Sequence, residues 1–511
     1  MRPALLLALV LLALPSLAGC LDDAVPSRDD GADELPQPFP TLPDDVTPFS
    51  RMLCDGDTLA SFKEVREDGC NVHVTAESGP AAEVSLAVDP TDPLALVGGS
   101  KDFSLGMDER CGKYNVWSGV HVSHDGGRTW THDLLPGHPG DDRETALSVY
   151  ACGSDPVVVV DPNGVFYYVS IHFTADPEGD DPPVAELGPV WGSSLLNAGL
   201  AVTRSLDQGR TWEDPVVLVH REDGSLIDKE WAAVDATTGS VYVSYLDTGD
   251  GAFYVQRNDD GGVTWDGPFL VDAGEDGTQQ FGQVAVDPEG VVHFTYWSTD
   301  DGNDVSAVYH RSSADHGRTW SERGLVVPFV PVFDFGFTHK YRIVSAPALA
   351  VDPVVGTLYV AYPSPAAMRG TATPAGYLDL YITASSDGGR TWNDPVRVND
   401  ERAAPLNGQA LQTLAVGPDG IVHTTWLDYR HDPSGQWSYL YYAYSTDDGV
   451  TWSENARVSD VPFDGTGGYH QSGSGTIGDY NGLAVSSEAV HAFWADTRYG
   501  RNDVFSATIL G

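Results

Sequence analysis

Three arginines in the second half of the chain stand beside residues that could form a polar ligand site. Arg430 and Arg498 both occur in an Asp-x-Arg pattern, formed with Asp428 and Asp496, and Arg342 lies in the segment KYRIV. The planar guanidinium group matches the two oxygens of a carboxylate. If the fold brings the three side chains together, they predict a site for an anionic ligand. The alternative is that each Asp-x-Arg pair forms a salt bridge that orders its own loop.

Side chains that could transfer a proton lie at the starts of apolar, strand-like segments. Carboxylates and tyrosine hydroxyls are suited to general acid and base chemistry. The candidates at these positions are Asp155, Asp228, Glu230, Asp479, Tyr480 and Asn481, and Trp297, Asp428 and Asp496 follow later strands. The sequence contains no HExxH segment, nucleophile elbow or Gly-rich phosphate loop. We therefore expect neither a metal nor a cofactor.

These candidates are positioned by internal repeats. The first repeat occurs six times, beginning at Ser123, Ser205, Asn258, Ser313, Ser385 and Ser445, and its first copy reads SHDGGRTW. The second is an apolar strand, a turn and an alternating strand, which predicts a β-hairpin. It occurs seven times, beginning at Ser85, Val158, Ala232, Val284, Leu349, Leu414 and Leu483. With one strand on each side of the first repeat, a unit contains four antiparallel strands.

Repeated four-stranded units predict an all-β fold, a β-propeller with four-stranded antiparallel blades. Seven hairpins against six copies of the first repeat leave the last blade without an outer strand. The segment NVHVTA, which begins at Asn71, can supply that strand. We therefore expect seven blades, the last completed by an N-terminal strand. The alternative is six blades with an aberrant end.

The strand order also predicts which cysteines pair. Four cysteines besides Cys20 allow three pairings. In this propeller the hairpin turns and the first repeat lie on one face, and the longer loops, where ligands usually bind, lie on the other. Cys111 and Cys152 fall in neighbouring loops of that second face, so we expect them to form a disulfide. The second expected disulfide joins Cys54 to Cys70.

The first repeat, Ser/Asn-x-Asp-x-Gly-x-Thr-Trp, resembles the Asp box, or BNR repeat, of the sialidase superfamily. The box is a structural turn, so the resemblance concerns the fold first. Sialidases hold the carboxylate of sialic acid with three arginines, use a Tyr nucleophile assisted by a Glu, and protonate the leaving group with an Asp. The resemblance implies these catalytic roles for Tyr480, Glu230 and Asp155. The family's Arg-Ile-Pro segment corresponds here to Arg342-Ile343-Val344, in the fifth blade and without the proline.

The resemblance thus implies a glycoside hydrolase of exo-α-sialidase type that acts on terminal acidic sugars of glycans. Substrate contacts would come from Arg342, Arg430, Arg498, Asp228, Asp428, Asp479, Asn481, Asp496 and Trp297. The alternative is a non-catalytic propeller that binds glycans or a protein partner. Seven blades favour this alternative, because the sialidase catalytic domain has six.

The N-terminal residues have the pattern of an export signal. Arg2 precedes an apolar run over residues 4–14, and Leu17-Ala18-Gly19-Cys20 resembles the lipobox of prokaryotic lipoproteins. We expect a signal peptide over residues 1–19, lipid attached to Cys20, an acidic Pro-rich linker over 20–68, and the propeller over 69–511. The protein would then be extracellular, anchored to the membrane by its lipid. The alternative is an ordinary secretory signal with an incidental cysteine.

The charge balance excludes one class of partner. The chain has 28 basic and 74 acidic residues and a formal net charge of −46. Such a surface repels nucleic acid phosphates, so we expect no nucleic acid partner. It also favours conditions in which salt screens the repulsion. We expect the protein to be a monomer.

Overall fold

The strands of this protein form seven consecutive sheets. The computed structural model describes residues 39–40, 49–54, 58–63, 69–76, 78–106, 109–111, 115–176, 195–274, 279–299, 306–328, 333–335, 341–344, 346–365, 378–401, 408–432, 434–471 and 474–511. Strands are numbered in chain order. Three N-terminal strands, β1 (Arg51–Cys54), β2 (Thr58–Ser61) and β3 (Val72–His73), precede the first complete sheet.

The first three blades each contain four antiparallel strands. Blade 1 consists of β4 (Ala81–Asp89), β5 (Asp92–Asp102), β6 (Trp117–Ser123) and β7 (Thr131–Leu134). Blade 2 consists of β8 (Cys152–Val160), β9 (Phe166–Ala175), β10 (Leu195–Ser205) and β11 (Val216–Arg221). Blade 3 consists of β12 (Ile227–Val234), β13 (Val241–Asp247), β14 (Ala252–Asn258) and β15 (Asp266–Asp272).

The next three blades repeat this order and add short hairpins. Blade 4 consists of β16 (Gln279–Val286), β17 (Val292–Thr299), β18 (Ser306–Ser313) and β19 (Gly324–Pro328), followed by the separate hairpin β20 (Phe333–Phe335) and β21 (Arg342–Val344). Blade 5 consists of β22 (Ala348–Val351), β23 (Leu358–Pro365), β24 (Leu378–Ser385) and β25 (Val396–Arg397). Blade 6 consists of β26 (Gln409–Val416), β27 (Val422–Asp428), β28 (Trp437–Ser445), β29 (Ala456–Arg457) and β30 (Phe463–Asp464).

Blade 7 is built from both ends of the folded region. A hairpin of β31 (Tyr469–Gln471) and β32 (Ser474–Thr476) leads into β33 (Gly482–Val485), β34 (Ala489–Asp496) and β35 (Asp503–Leu510). Strand β3 pairs with β35 through Val72 opposite Ser506. The prediction of seven blades closed by an N-terminal strand is confirmed. Contacts between innermost strands run around the ring and close it where β33 meets β4.

Two strands that precede residue 69 also belong to the sheet of blade 7. Strand β1 also pairs with β35, with Arg51 opposite Leu510, and β2 pairs with β1. Both strands fall in the segment that the sequence suggested as a linker. Each of these strands has only four residues, too few to show apolar periodicity in the sequence.

The turns formed by the first repeat connect the two outer strands of a blade and contact the neighbouring blade. In the first copy, Asp125 accepts hydrogen bonds from the backbone N–H groups of Arg128 and Thr129, at 3.0 and 2.9 Å, and from the hydroxyl of Ser123. Trp130 donates from its indole nitrogen to the hydroxyl of Ser506 in blade 7. The aspartates therefore order turns, and the half-buried tryptophans pack between sheets.

Among the residues that the structure describes, none forms a helix long and apolar enough to cross a membrane. Cys20 and the predicted signal peptide lie outside the described residues.

Candidate functional site

One register position in the innermost strands supplies the side chains around the axis. Each innermost strand has a valine at or next to its end, at Val88, Val160, Val234, Val286, Val351, Val416 and Val485. Five residues before these valines stand Glu83, Asp155, Lys229, Phe281, Ala346, Leu411 and Tyr480. We call these seven residues the axial ring. Its members are acidic or polar in four blades and apolar in the other three, so the axis has a polar arc and an apolar arc.

Five of the seven residues of the axial ring lie in a β-bulge of their own innermost strand. The pairing register shifts in the innermost strand of five blades, between Ala82 and Ser85 in blade 1, for example. The ring residue within each shift has a positive φ, between 49° and 52°. The residues are Glu83, Asp155, Lys229, Phe281 and Leu411. Left-handed φ is uncommon for residues other than glycine, and bulges re-aim side chains near functional sites.

The polar arc forms a connected network of ion pairs around Lys229. The Lys229 ammonium lies 3.3 Å from a carboxylate oxygen of Asp479, 3.4 Å from Asp228 and 3.9 Å from Asp155. Arg342 donates two hydrogen bonds to Asp479. The charges thus neutralise one another across three blades and the β20–β21 hairpin.

Blade 1 extends this network on the other side of Asp155. The Lys101 ammonium lies 3.0 Å from a carboxylate oxygen of Glu83 and 3.8 Å from Asp155. Burial, opposed by the charge of Lys101, raises the pKa of Glu83 to about 8. Burial opposes ionisation of Asp155 as well, but Lys101 and Lys229 together hold the pKa of Asp155 below its usual value. Asp155 is therefore an ionised carboxylate.

Glu230 and Tyr480 differ from their neighbours because their polar atoms are unpaired. Within the described part of the chain, neither carboxyl oxygen of Glu230 nor the hydroxyl of Tyr480 has a hydrogen-bond partner. Burial and the nearby charge of Asp155 raise the pKa of Glu230 well above its usual value. The same two causes raise the pKa of the Tyr480 hydroxyl. Burial therefore favours the protonated form of Glu230, which is the form able to donate a proton.

These groups share one cavity at the axis. Its lining consists of Asp155, Lys229, Glu230, Trp231, Phe281, Gly282, Gln283, Ala346 and Tyr480. Trp231 contacts Tyr480 edge to face, with ring centroids 6.4 Å apart. An ionised carboxylate, Asp155, and a carboxyl group whose protonated form is favoured, Glu230, therefore border the same space. Environments that push two pKa values apart are typical of acid and base pairs.

The three arginines are held by different carboxylates. Arg430 binds Asp428 and also lies 2.7 Å from a carboxylate oxygen of Asp400. Arg498 binds Asp496 and, at 2.6 Å, Asp460. Each Asp-x-Arg pair therefore forms a salt bridge within its own loop, as in the alternative interpretation, and each arginine also binds an Asp that follows the outer strand of the preceding blade.

Arg342 is the only one of the three arginines that contributes to the axial network, and there it is held by Asp479. A shared carboxylate clamp made of Arg342, Arg430 and Arg498 is therefore absent from the described residues.

The remaining predicted site residues divide into axial and structural groups. Asp228 and Asp479 occupy equivalent positions beside the ring and both contact Lys229. Asn481 accepts a hydrogen bond from the backbone of Ala495 at 3.3 Å, so it connects two strands of blade 7. Trp297 is buried among apolar side chains of blades 4 and 5. The structure therefore assigns Trp297 to the core and not to a site.

The sequence did not single out several of the residues that lie at the axis. Glu83 and Lys101 stand just outside the first hairpin repeat, and Phe281 has no polar group that would mark it as a candidate. Aligning the seven hairpins on their final valines would have found Glu83 and Phe281, because both then fall in one column with Asp155 and Tyr480. Lys101 lies on the second strand and has no comparable signal.

Two disulfides fix the chain outside the axis. Cys54 is joined to Cys70 and Cys111 to Cys152. The first connects the N-terminal hairpin to the segment before β3. The second connects blade 1 to the start of β8, as the position of both residues on one face predicted.

Comparison with known proteins gives distant similarity. No family model matches the chain. A protein of unknown function from Dyadobacter fermentans is 15% identical, with 86% of this chain and 97% of that chain covered and a TM-score of 0.46. The NanB sialidase of Streptococcus pneumoniae is 12% identical, with coverages of 76% and 71% and a TM-score of 0.47. The Hadza microbial sialidase Hz136 is 16% identical, with coverages of 77% and 73% and a TM-score of 0.43.

Proposed function

We propose that this protein is a glycoside hydrolase whose reaction takes place at the axis of the propeller. The observation that carries the proposal is that Glu230 and Asp155 border one cavity with Tyr480. Within the described residues, the carboxyl oxygens of Glu230 have no hydrogen-bond partner, whereas Asp155 lies beside Lys101 and Lys229. Glycoside hydrolysis in most families needs one protonated and one ionised carboxyl group. Glu230 would protonate the leaving oxygen, and Asp155 would act as the base or nucleophile.

This proposal reverses two roles that the family resemblance implied. Asp155 is held ionised by Lys101 and Lys229, so it lacks the proton that an acid must supply. The raised pKa of Tyr480 keeps its hydroxyl neutral, which suits a hydrogen-bond donor better than a nucleophile. Because the arginines do not form a common clamp, the proposal requires no acidic sugar.

The test is hydrolysis of a panel of 4-methylumbelliferyl glycosides that includes neutral sugars and an α-sialoside. We expect fluorescence from at least one neutral glycoside and none from the sialoside. Glu230→Gln should lower kcat by roughly 10²- to 10⁴-fold, because the amide cannot donate the proton. Glu289→Gln removes the same charge at an exposed position. It is the control and should have no effect on kcat. Activity that survives Glu230→Gln would contradict the assignment.

The second candidate is a non-catalytic propeller that binds a glycan or a protein. Two observations favour it: the axial cations are already neutralised by carboxylates, and the cavity at Glu230 measures only about 30 Å³. That volume holds water but not a sugar ring. Binding of a glycan without turnover of any glycoside in the panel would support this candidate and reject the hydrolase.

We also propose that the protein is exported and carries lipid on Cys20, on the strength of the Leu17-Ala18-Gly19-Cys20 segment. The protein made in a bacterial host should then fractionate with membranes. Cys20→Ser should release it to the soluble fraction. Mass spectrometry of the N-terminal peptide should find a lipid on the Cys20 thiol, and an unmodified thiol in the mature protein would reject the proposal.

A further inference from the structure

A second cleft lies on the outer side of blade 6, away from the axis. It has a volume of about 620 Å³, within the range of small-ligand sites. One wall is β28, which pairs with the short outer strand β29 at only two positions, Tyr441 and Tyr442. The other wall includes Phe49 and Phe62, the residues just before β1 and just after β2. We call it the side cleft.

The side cleft has an ordered aromatic wall. The rings of Phe62 and Tyr442 are stacked with centroids 6.1 Å apart, and Phe49 lies 5.7 Å from Tyr444. Phe49 and Tyr442 are buried, whereas Phe62 and Tyr444 are half-buried. The hydroxyl of Tyr442 is 2.8 Å from a ring nitrogen of His423. The two half-buried rings are therefore supported from behind and offer flat surfaces to a ligand.

Polar groups border this wall. The Lys63 ammonium lies 3.4 Å from a carboxylate oxygen of Glu454, and both side chains are about 80% exposed. Such an exposed pair contributes little to stability, so a ligand can exchange with either partner. Lysine offers only donors and glutamate only acceptors, which together suit a chain of hydroxyl groups.

We propose that the side cleft binds a neutral oligosaccharide. Sugar rings combine apolar C–H faces, which pack on aromatic rings, with hydroxyl groups that are both donors and acceptors. A polyanionic ligand would be opposed by the net charge of −46. The side cleft is thus a glycan-binding site separate from the axis. It does not rest on the proposed reaction, because its lining residues include no member of the axial ring.

The experiment is isothermal titration calorimetry of the full chain with cellohexaose, xylohexaose and arabinohexaose as probes. At least one hexasaccharide should bind the wild type, and Phe62→Leu should weaken binding at least tenfold. Leucine preserves apolar volume but removes the flat face, so the fold is retained. Tyr444→Ala should weaken binding similarly. Trp437→Ala, which changes a 45% exposed aromatic residue outside the side cleft, is the matched control.

Two results would overturn the proposal: no binding of any probe, or an affinity unchanged by both Phe62→Leu and Tyr444→Ala. Glu230→Gln separates the two sites. Binding that is preserved in this variant supports the side cleft whatever happens to hydrolysis, whereas binding that is lost would place the oligosaccharide at the axis. Unfolding midpoints of all variants, measured beside the wild type, exclude a loss of fold.

Discussion

Glu230 should make the stability of the folded chain depend on pH. Its pKa is raised well above the usual value of 4.5 by burial and by Asp155. The folded protein therefore holds this proton more tightly than the unfolded chain does. Between the usual and the raised pKa, the free energy of unfolding falls as pH rises, by about 1.4 kcal/mol per pH unit.

Glu230→Gln removes that dependence while keeping the shape of the side chain. We expect the variant and the wild type to unfold at similar urea concentrations at pH 4, and the variant to be the more stable at pH 8. Urea titrations at both pH values measure this difference. Glu289→Gln, with the same change of charge at an exposed position, should match the wild type at both. If Glu230→Gln and the wild type were equally stable at pH 8, ionisation of Glu230 would not lower the free energy of unfolding, contrary to the prediction.

Arg498 holds blade 7 to its neighbours through charge. Its guanidinium binds the buried carboxylates of Asp496 and Asp460 and lies 3.2 Å from the side-chain oxygen of Asn71. Arg498→Ala leaves both carboxylates buried without their partner, so it should lower the free energy of unfolding by roughly 3–5 kcal/mol. Denaturant unfolding measures the loss. A folded Arg498→Ala variant of normal stability that fails to turn over substrate would instead restore the arginine to the site.

At the scale of strands, the repeats predicted the blades but not the direction of individual side chains. The hairpin repeats were enough to predict that Asp155 and Tyr480 lie near the axis. The repeats could not show that a bulge places Lys229 between Asp228, Asp479 and Asp155, because a bulge depends on pairing with the next strand. The sequence also did not show which carboxylates the arginines bind. Asp428 and Asp496 are close enough in sequence to bind Arg430 and Arg498 locally.

The disulfide between Cys54 and Cys70 ties the N-terminal hairpin to the strand that closes blade 7. It encloses a sequence separation of 16 residues, and the Cys111–Cys152 disulfide encloses 41. Chain entropy gives roughly 3 kcal/mol for the shorter loop and about 4 kcal/mol for the longer one. Replacing Cys111 and Cys152 by serines should therefore reduce the free energy of unfolding more than replacing Cys54 and Cys70. Guanidinium titrations of the two double variants test the ranking, and the reverse order would contradict the entropic account.

At the scale of the whole molecule, closure of the ring depends on residues at opposite ends of the chain. The sixth and last copy of the first repeat lies in blade 6, and the outer edge of β35 is covered instead by β3 and β1. The sequence predicted β3 from its alternating residues and from the missing seventh turn. It did not predict β1 and β2, which are short and of which β1 pairs with β35.

The charge of the whole molecule predicts that its stability rises with salt. A formal net charge of −46 is spread over the chain, and the self-repulsion of like charges destabilises a compact state. The screening length falls from roughly 8 Å at 0.15 M salt to about 3 Å at 1 M, so repulsion between distant carboxylates is largely removed. Between 0.05 M and 1 M sodium chloride, the thermal midpoint should rise by roughly 5 °C. Tetramethylammonium chloride should act equally, because screening depends on ionic strength and not on a specific cation, whereas a rise confined to one cation would point to ion binding and reject the screening account.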